Sequence, residues 1–142
     1  MLVLDTDTFS IIQRATGAEY SHLIARLPAN HPDSVHVTII SFEEQARGWL
    51  AYAARARTLE RQVDAYRRLH ILLNYYSSRQ ILDFDDRAAQ QYSALVRARI
   101  RIGTMDLRIA SIVLAHGTTL LSRNLRDFRN VPGLRVEDWT VS

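Results

Sequence analysis

The sequence predicts an α/β fold: three layers, α/β/α, with a central, mostly parallel sheet of four to five strands. Two patterns lead there. Short apolar runs without polar alternation read as strands buried on both faces, and they alternate with longer segments whose apolar residues recur at helical spacing. No linker, internal repeat or low-complexity stretch interrupts the alternation, so residues 1–142 are expected to form one domain.

Taken in order, Leu2-Val3-Leu4 is the first strand. Thr8 is placed to cap a helix through Arg14, and a second short helix covers Glu19 to Leu27. The stretch "LPANHPDS" is a loop by its prolines and asparagine. The β-branched "VHVTII" (35–40) is the second strand, and Ser41 stands three residues before Glu44 in capping-box spacing, opening a long helix to about Arg57. A further helix covers "TLERQVDAYRRLHILLNYY", "QILDF" is the third strand, and "DDRAAQQYSALVRARIRI" is helical. The helix "MDLRIASIVLAHG" closes on a glycine, "TTLLS" is the fourth strand and "LRVEDW" the fifth.

Composition narrows the setting. With 47% hydrophobic and 23% charged residues the chain is globular. It has no cysteine, which excludes disulfides and thiolate metal sites and fits an intracellular home. No signal peptide precedes the first strand and no apolar run reaches the length of a membrane span, so a soluble, cytoplasmic protein without membrane contact is expected. The net charge is +3, and all 18 basic residues are arginine. Either a GC-rich genome or selection for the planar, forked donor that suits phosphate accounts for that usage.

The acids carry the chemistry. In a parallel α/β sheet the ligand site lies beyond the carboxyl ends of the strands. Asp5 ends the first strand, Glu44 follows the second in the first turn of its helix, Asp106 opens the helix leading into "TTLLS", and Asn124 and Asp127 follow the fourth strand. Acids in a first helical turn are also ordinary caps and dipole partners, so Glu44 or Asp106 alone reads as structural; the combination is what points to a site. Gathered carboxylates either take up protons or bind a cation, and hard oxygen donors select Mg²⁺ or Mn²⁺ over zinc. The histidines (22, 31, 36, 70 and 116) show no ligand spacing, and His36 and His116 read as structural.

The segments "LDTDTFS", "TIISFEEQARG", "GTMDLRIASIVLAHGTTLLSRNLRDF" and "VPGLRVEDW" together resemble a PIN-domain ribonuclease of the VapC toxin type, nearly end to end. The resemblance implies a PIN-like fold, a metal-dependent endoribonuclease acting on structured RNA such as tRNA or rRNA, a homodimer, and a cognate VapB-like antitoxin that blocks the site. It places Asp5, Glu44 and Asp106 as the core acids that hold the metal, with Asn124 or Asp127 filling the fourth position. Asp7 stands where asparagine is commoner, Ser41 and Ser122 where threonine is, and Gln45 where leucine is. An additional carboxylate at Asp7 either tightens metal binding or reorients. Thr6, Asp7, Ser122, Arg123 and Arg126 are expected as supporting or substrate-binding residues; the two arginines bracketing Asn124 are placed to grip backbone phosphates, with Arg123 alternatively a plain surface residue. Arg108 is expected to pair with an acid structurally, and "RARIRI" (97–102) to be helix surface.

Two rival readings start from the same residues. "LDTDT" fits D-x-D-x-T, the first motif of haloacid-dehalogenase-like phosphatases, in which one Asp is nucleophile and the next a general acid. That family's later lysine and late acidic pair are missing, and "DFDD" (83–86) falls mid-chain. A non-catalytic PIN-like binding module would show loss of a core acid, and none is lost. The tyrosines at 52, 66, 75 and 76 serve either to pack a helix pair on the sheet or to form a partner surface.

Overall fold

The computed structural model describes residues 1–28 and 32–142. Residues 29–31, which include His31 and part of the expected "LPANHPDS" loop, lie outside the described residues.

Five short strands, β1 (Leu2–Leu4), β2 (Val35–Thr38), β3 (Gln80–Leu82), β4 (Thr119–Leu121) and β5 (Arg135–Glu137), form one sheet in the order β3-β2-β1-β4-β5. Every pairing is parallel. The chain builds outward from β1 to β2 and β3 on one side, then crosses to β4 and β5 on the other, so the direction of winding reverses between β1 and β4. Their register is Leu2 to Thr119, Val3 to Leu120 and Leu4 to Leu121.

Strand periodicity divides the core. Val3 and Leu120 point to one face, where they meet α5 (Asp86–Arg97), α6 (Thr104–His116) and α7 (Leu125–Phe128) through Leu95, Ile109, Ile112 and Phe128. Leu4, Val37 and Leu121 point to the other, against α1 (Thr6–Arg14), α2 (Ala18–Arg26) and α4 (Leu59–Ser77) through Phe9, Leu23, Leu72 and Tyr76. Burying each such side chain contributes about 1.5–3 kcal/mol, which explains why these strands are apolar on both faces. Phe9 and Phe42, the latter on α3 (Ile39–Arg55), each meet Tyr76 edge-on with ring centroids 5.2 Å apart.

The tyrosines divide accordingly. Tyr76 is buried and Tyr75 half-buried, whereas Tyr66 is exposed and Tyr52 donates to Asp64 at 2.9 Å. No helix among the described residues is long and apolar enough to cross a membrane.

β3 and β5 are shorter than the expected "QILDF" and "LRVEDW". Three further departures from expectation have a local reason. Asp5, not Thr8, caps α1: its Oδ1 accepts the Thr8 N–H at 2.8 Å. The second strand ends at Thr38 because the Thr38 hydroxyl accepts the Ser41 N–H at 3.2 Å and turns the chain into α3 at Ile39. The Ser41–Glu44 capping box therefore does not form, and Glu44 lies in the second turn of α3, not the first. Finally α5 stops at Arg97. Arg99 takes a left-handed φ of 59° and Ile100 N–H closes onto Leu95 C=O at 3.1 Å, so "RARIRI" leaves the helix after Arg97. His116 sits in the last turn of α6, and His36 lies in β2 with Nδ1 buried and unpartnered among the described residues.

Candidate active site

The winding reverses between β1 and β4, and at the carboxyl edge of such a sheet ligands are generally bound. Asp5 N–H donates to Leu121 C=O at 3.1 Å, so the sheet pairing continues one residue past β1 and fixes the Asp5 backbone. The Asp5 side chain is 5% exposed. Its Oδ1 is held by the α1 cap, and its Oδ2 accepts the Ser122 hydroxyl at 2.6 Å. Ser122, one residue past β4, is fixed by donating its own N–H to Glu137 C=O on β5 at 3.0 Å.

The second acid is positioned from α1. The Thr6 hydroxyl lies 2.6 Å from Glu44 Oε1 and 2.9 Å from Ser41 Oγ. A hydroxyl has one proton, and the carboxylate is the stronger acceptor, so Thr6 donates to Glu44 and accepts from Ser41. The amide of the neighbouring Gln45 joins Ser10, Gln13 and Tyr76 in a polar cluster between α1, α3 and α4.

The third and fourth acids are bridged by one amide. Asn124 Nδ2 reaches Asp127 Oδ2 at 3.1 Å and, more weakly, Asp106 Oδ2 at 3.4 Å, while Asn124 N–H donates to Ser122 Oγ at 2.9 Å. Asp106 stands in the first turn of α6 behind Gly103.

Electrostatics show that the four acids share one neighbourhood. Asp106 is pushed up to about 6, first by burial and then by the charges of Asp5 and Glu44, with a smaller contribution from Asp127 and opposition from Asn124. Burial also raises the Asp5 carboxyl, opposed by its bonds from Ser122 and Thr8. Among the described residues no three acids yet enclose a common point at coordinating distance. The donor set nonetheless fits a hard divalent cation: oxygen ligands only, a buried Asp106 carboxyl held up by burial and by its acidic neighbours, and no cysteine.

The two bracketing arginines are placed differently. Arg123 Nε donates to Asp7 Oδ2 at 2.7 Å and its Nη2 to Asp7 Oδ1 at 3.3 Å, while Nη1 reaches Glu19 Oε1 at 3.3 Å. Arg126 is exposed and makes no ion pair among the described residues. Arg108 does not pair with an acid among those residues; its Nη1 lies 3.7 Å from Met105 Sδ. Glu19 had no signal in the sequence as a site-proximal group, because its partner is 104 residues away. Ser41, a cap candidate in the sequence, places its hydroxyl on Thr6 instead.

The chain thus forms an all-parallel α/β sheet with acids after several of its strands, and its fold has known relatives. The family model described as "PIN domain" matches residues 2–134, and the chain belongs to that family. It is 32% identical over 84 residues to a tRNA(fMet)-specific endonuclease VapC of Salmonella typhimurium, a stretch covering 56% of this chain and 64% of that relative. It is 45% identical over 42 residues to ribonuclease VapC1 of Rickettsia felis, covering 30% of this chain and 31% of the relative. The matched stretches thus span less than two thirds of these curated relatives. Among solved structures, DNA-bound VapBC from Salmonella typhimurium aligns with a TM-score of 0.69 at 26% identity over 97% of each chain. FitAcB from Neisseria gonorrhoeae aligns with a TM-score of 0.71 at 20% identity over 98% of each chain. The PIN-like, three-layer architecture expected from the sequence is thereby borne out, with all five strands parallel. Membership of the PIN family sets aside the phosphatase reading of "LDTDT".

Proposed function

We propose that this chain is a single PIN domain (1–142) acting as a metal-dependent endoribonuclease of the VapC toxin type. The observation that carries the reading is that Ser122 donates to Asp5 while Asn124 donates to Asp106 and Asp127, and that burial, and after it the charges of Asp5, Glu44 and Asp127, raises the Asp106 carboxyl. Asp5, Glu44 and Asp106 would hold Mg²⁺ or Mn²⁺. A divalent cation there supplies Lewis acidity, activating water and offsetting charge at the phosphodiester.

The chain's own residues do the rest. Ser122 fixes Asp5 Oδ2 while Thr8 N–H fixes Oδ1, leaving further lone pairs on both oxygens for a ligand. Thr6 orients Glu44. Asn124 spends its Nδ2 on Asp106 and Asp127, so it acts as a strut between acids and Asp127 is the fourth acid of the site. Arg126, exposed beside Asp127, is the cation for an RNA backbone phosphate.

The substrate would be structured RNA such as tRNA or rRNA, a class supported by the tRNA-specific name of the Salmonella relative. A cognate VapB-like antitoxin as partner is supported by the VapBC complexes among the solved relatives. A homodimer acting in the cytoplasm completes the reading. Its test is cleavage of a tRNA pool with Mg²⁺, with Mn²⁺ and with chelator, beside hydrolysis of a small phosphoester. Metal-dependent RNA cutting with the phosphoester untouched supports it; phosphoester turnover with RNA intact overturns it.

A further inference from the structure

We propose that Asp7 and Glu19 form a two-carboxylate clamp on Arg123 that holds the 122–124 turn, and through it the arrangement of Asp5, Asp106 and Asp127 on which cation binding depends. Asp7 is then a positioning residue and not a metal donor. The inference rests on the metal-binding reading above.

The side-on fork from Arg123 Nε and Nη2 to the two oxygens of Asp7 fixes the guanidinium plane, and Nη1 ties the same group to Glu19. Asp7 lies in the first turn of α1 and Glu19 in the first turn of α2. One side chain therefore pins the loop after β4 to two separate helices. Arg123 sits between the residues that order the acids: Ser122 donates to Asp5, and Asn124 donates to Asp106 and Asp127. The turn is closed within itself by Asn124 N–H on Ser122 Oγ, so a shift at residue 123 is passed to both neighbours.

Charge argues against the simpler reading of Arg123 as a phosphate anchor. Two carboxylates face one guanidinium, leaving the cluster negative, and three donor contacts are already committed. All three side chains are partly exposed, at 40%, 49% and 52%, so the clamp adds little to global stability and its effect is local.

Electrostatics and positioning predict opposite signs for one substitution. Arg123→Gln removes a positive charge close to the acids, which by Coulomb's law alone tightens cation binding. The clamp predicts the reverse. Mn²⁺ titration of the full chain by calorimetry is expected to show affinity weakened about tenfold in Arg123→Gln and in Asp7→Asn, with thermal midpoints close to the parent. Affinity should return toward the parent in the charge swap Asp7→Arg with Arg123→Asp, which rebuilds the ion pair with its ends exchanged and leaves Glu19 a guanidinium to meet. Should Arg123→Gln fail to fold, Arg123→Lys keeps the charge, loses the fork and is read the same way. Unchanged or tighter Mn²⁺ binding in the Arg123 variant overturns the clamp, as does a loss confined to Asp7→Asn that the swap does not restore. Absence of Mn²⁺ binding by the parent chain overturns the underlying metal reading itself, a distinct result.

Discussion

Ser122 Oγ donates to Asp5 Oδ2 across 2.6 Å, joining residues 117 positions apart in sequence but adjacent at the carboxyl edge of β1 and β4. Both groups are buried, so the bond offsets part of the cost of placing a carboxylate in the interior. Ser122→Ala leaves that oxygen without its side-chain donor. Stability is expected to fall by about 1–3 kcal/mol in chemical denaturation of the metal-free protein, and Mn²⁺ affinity should fall with it. An unchanged denaturation midpoint would contradict this role.

Thr6 orients Glu44 across 2.6 Å. Thr6→Val keeps the shape and removes the donor. RNA cleavage is expected to slow about tenfold in kcat with KM little changed, because the lost contact positions a metal-holding acid and not the RNA. A change confined to KM would place Thr6 on the substrate instead.

The raised carboxyls give the metal-free protein a pH signature. A group whose folded-state pKa lies above its unfolded value near 3.8 contributes stability that is fully present below that value. The contribution is lost as pH rises through the folded value, about 6 for Asp106. The metal-free chain should lose stability from this source between about pH 4 and pH 7, and Mn²⁺ should raise the thermal midpoint more on the alkaline side of that window. Asp106→Asn should flatten the slope. Identical pH profiles for parent and variant would refute the assignment.

Gly117 ends α6 with a left-handed φ of 60°, and a Cβ built there would meet nothing within 4 Å. Gly117→Ala is therefore expected to cost about 1 kcal/mol through backbone conformation alone. Thermal unfolding should register the loss while RNA cleavage per folded molecule stays at the parent level. A fall in specific activity would show that the helix end communicates with Asp106.

How much of this was legible in the sequence depended on range. Strands buried on both faces announce themselves as unbroken apolar runs, so β1, β2 and β4 were evident, and with them the placing of Asp5 and Asn124. "TII" (38–40) looked like strand because its residues are β-branched; Thr38 capping the next helix overrides that propensity. "RARIRI" kept a helical rhythm, and nothing local marks Arg99 as the residue that turns left-handed. Contacts across long separations left no trace: Thr6 with Glu44 is 38 residues apart, and Arg123 with Glu19 is 104. Asp7 could be flagged as unusual, but its engagement with Arg123 requires the fold.

The central claim is that acids from separate segments serve one divalent cation. Mn²⁺ titration of the parent chain beside Asp5→Asn, Glu44→Gln and Asp106→Asn tests it most directly. The account predicts one class of site in the parent, weakened at least about tenfold by each substitution alone while the folded state persists. Parent-like Mn²⁺ binding in any one of the three would contradict it.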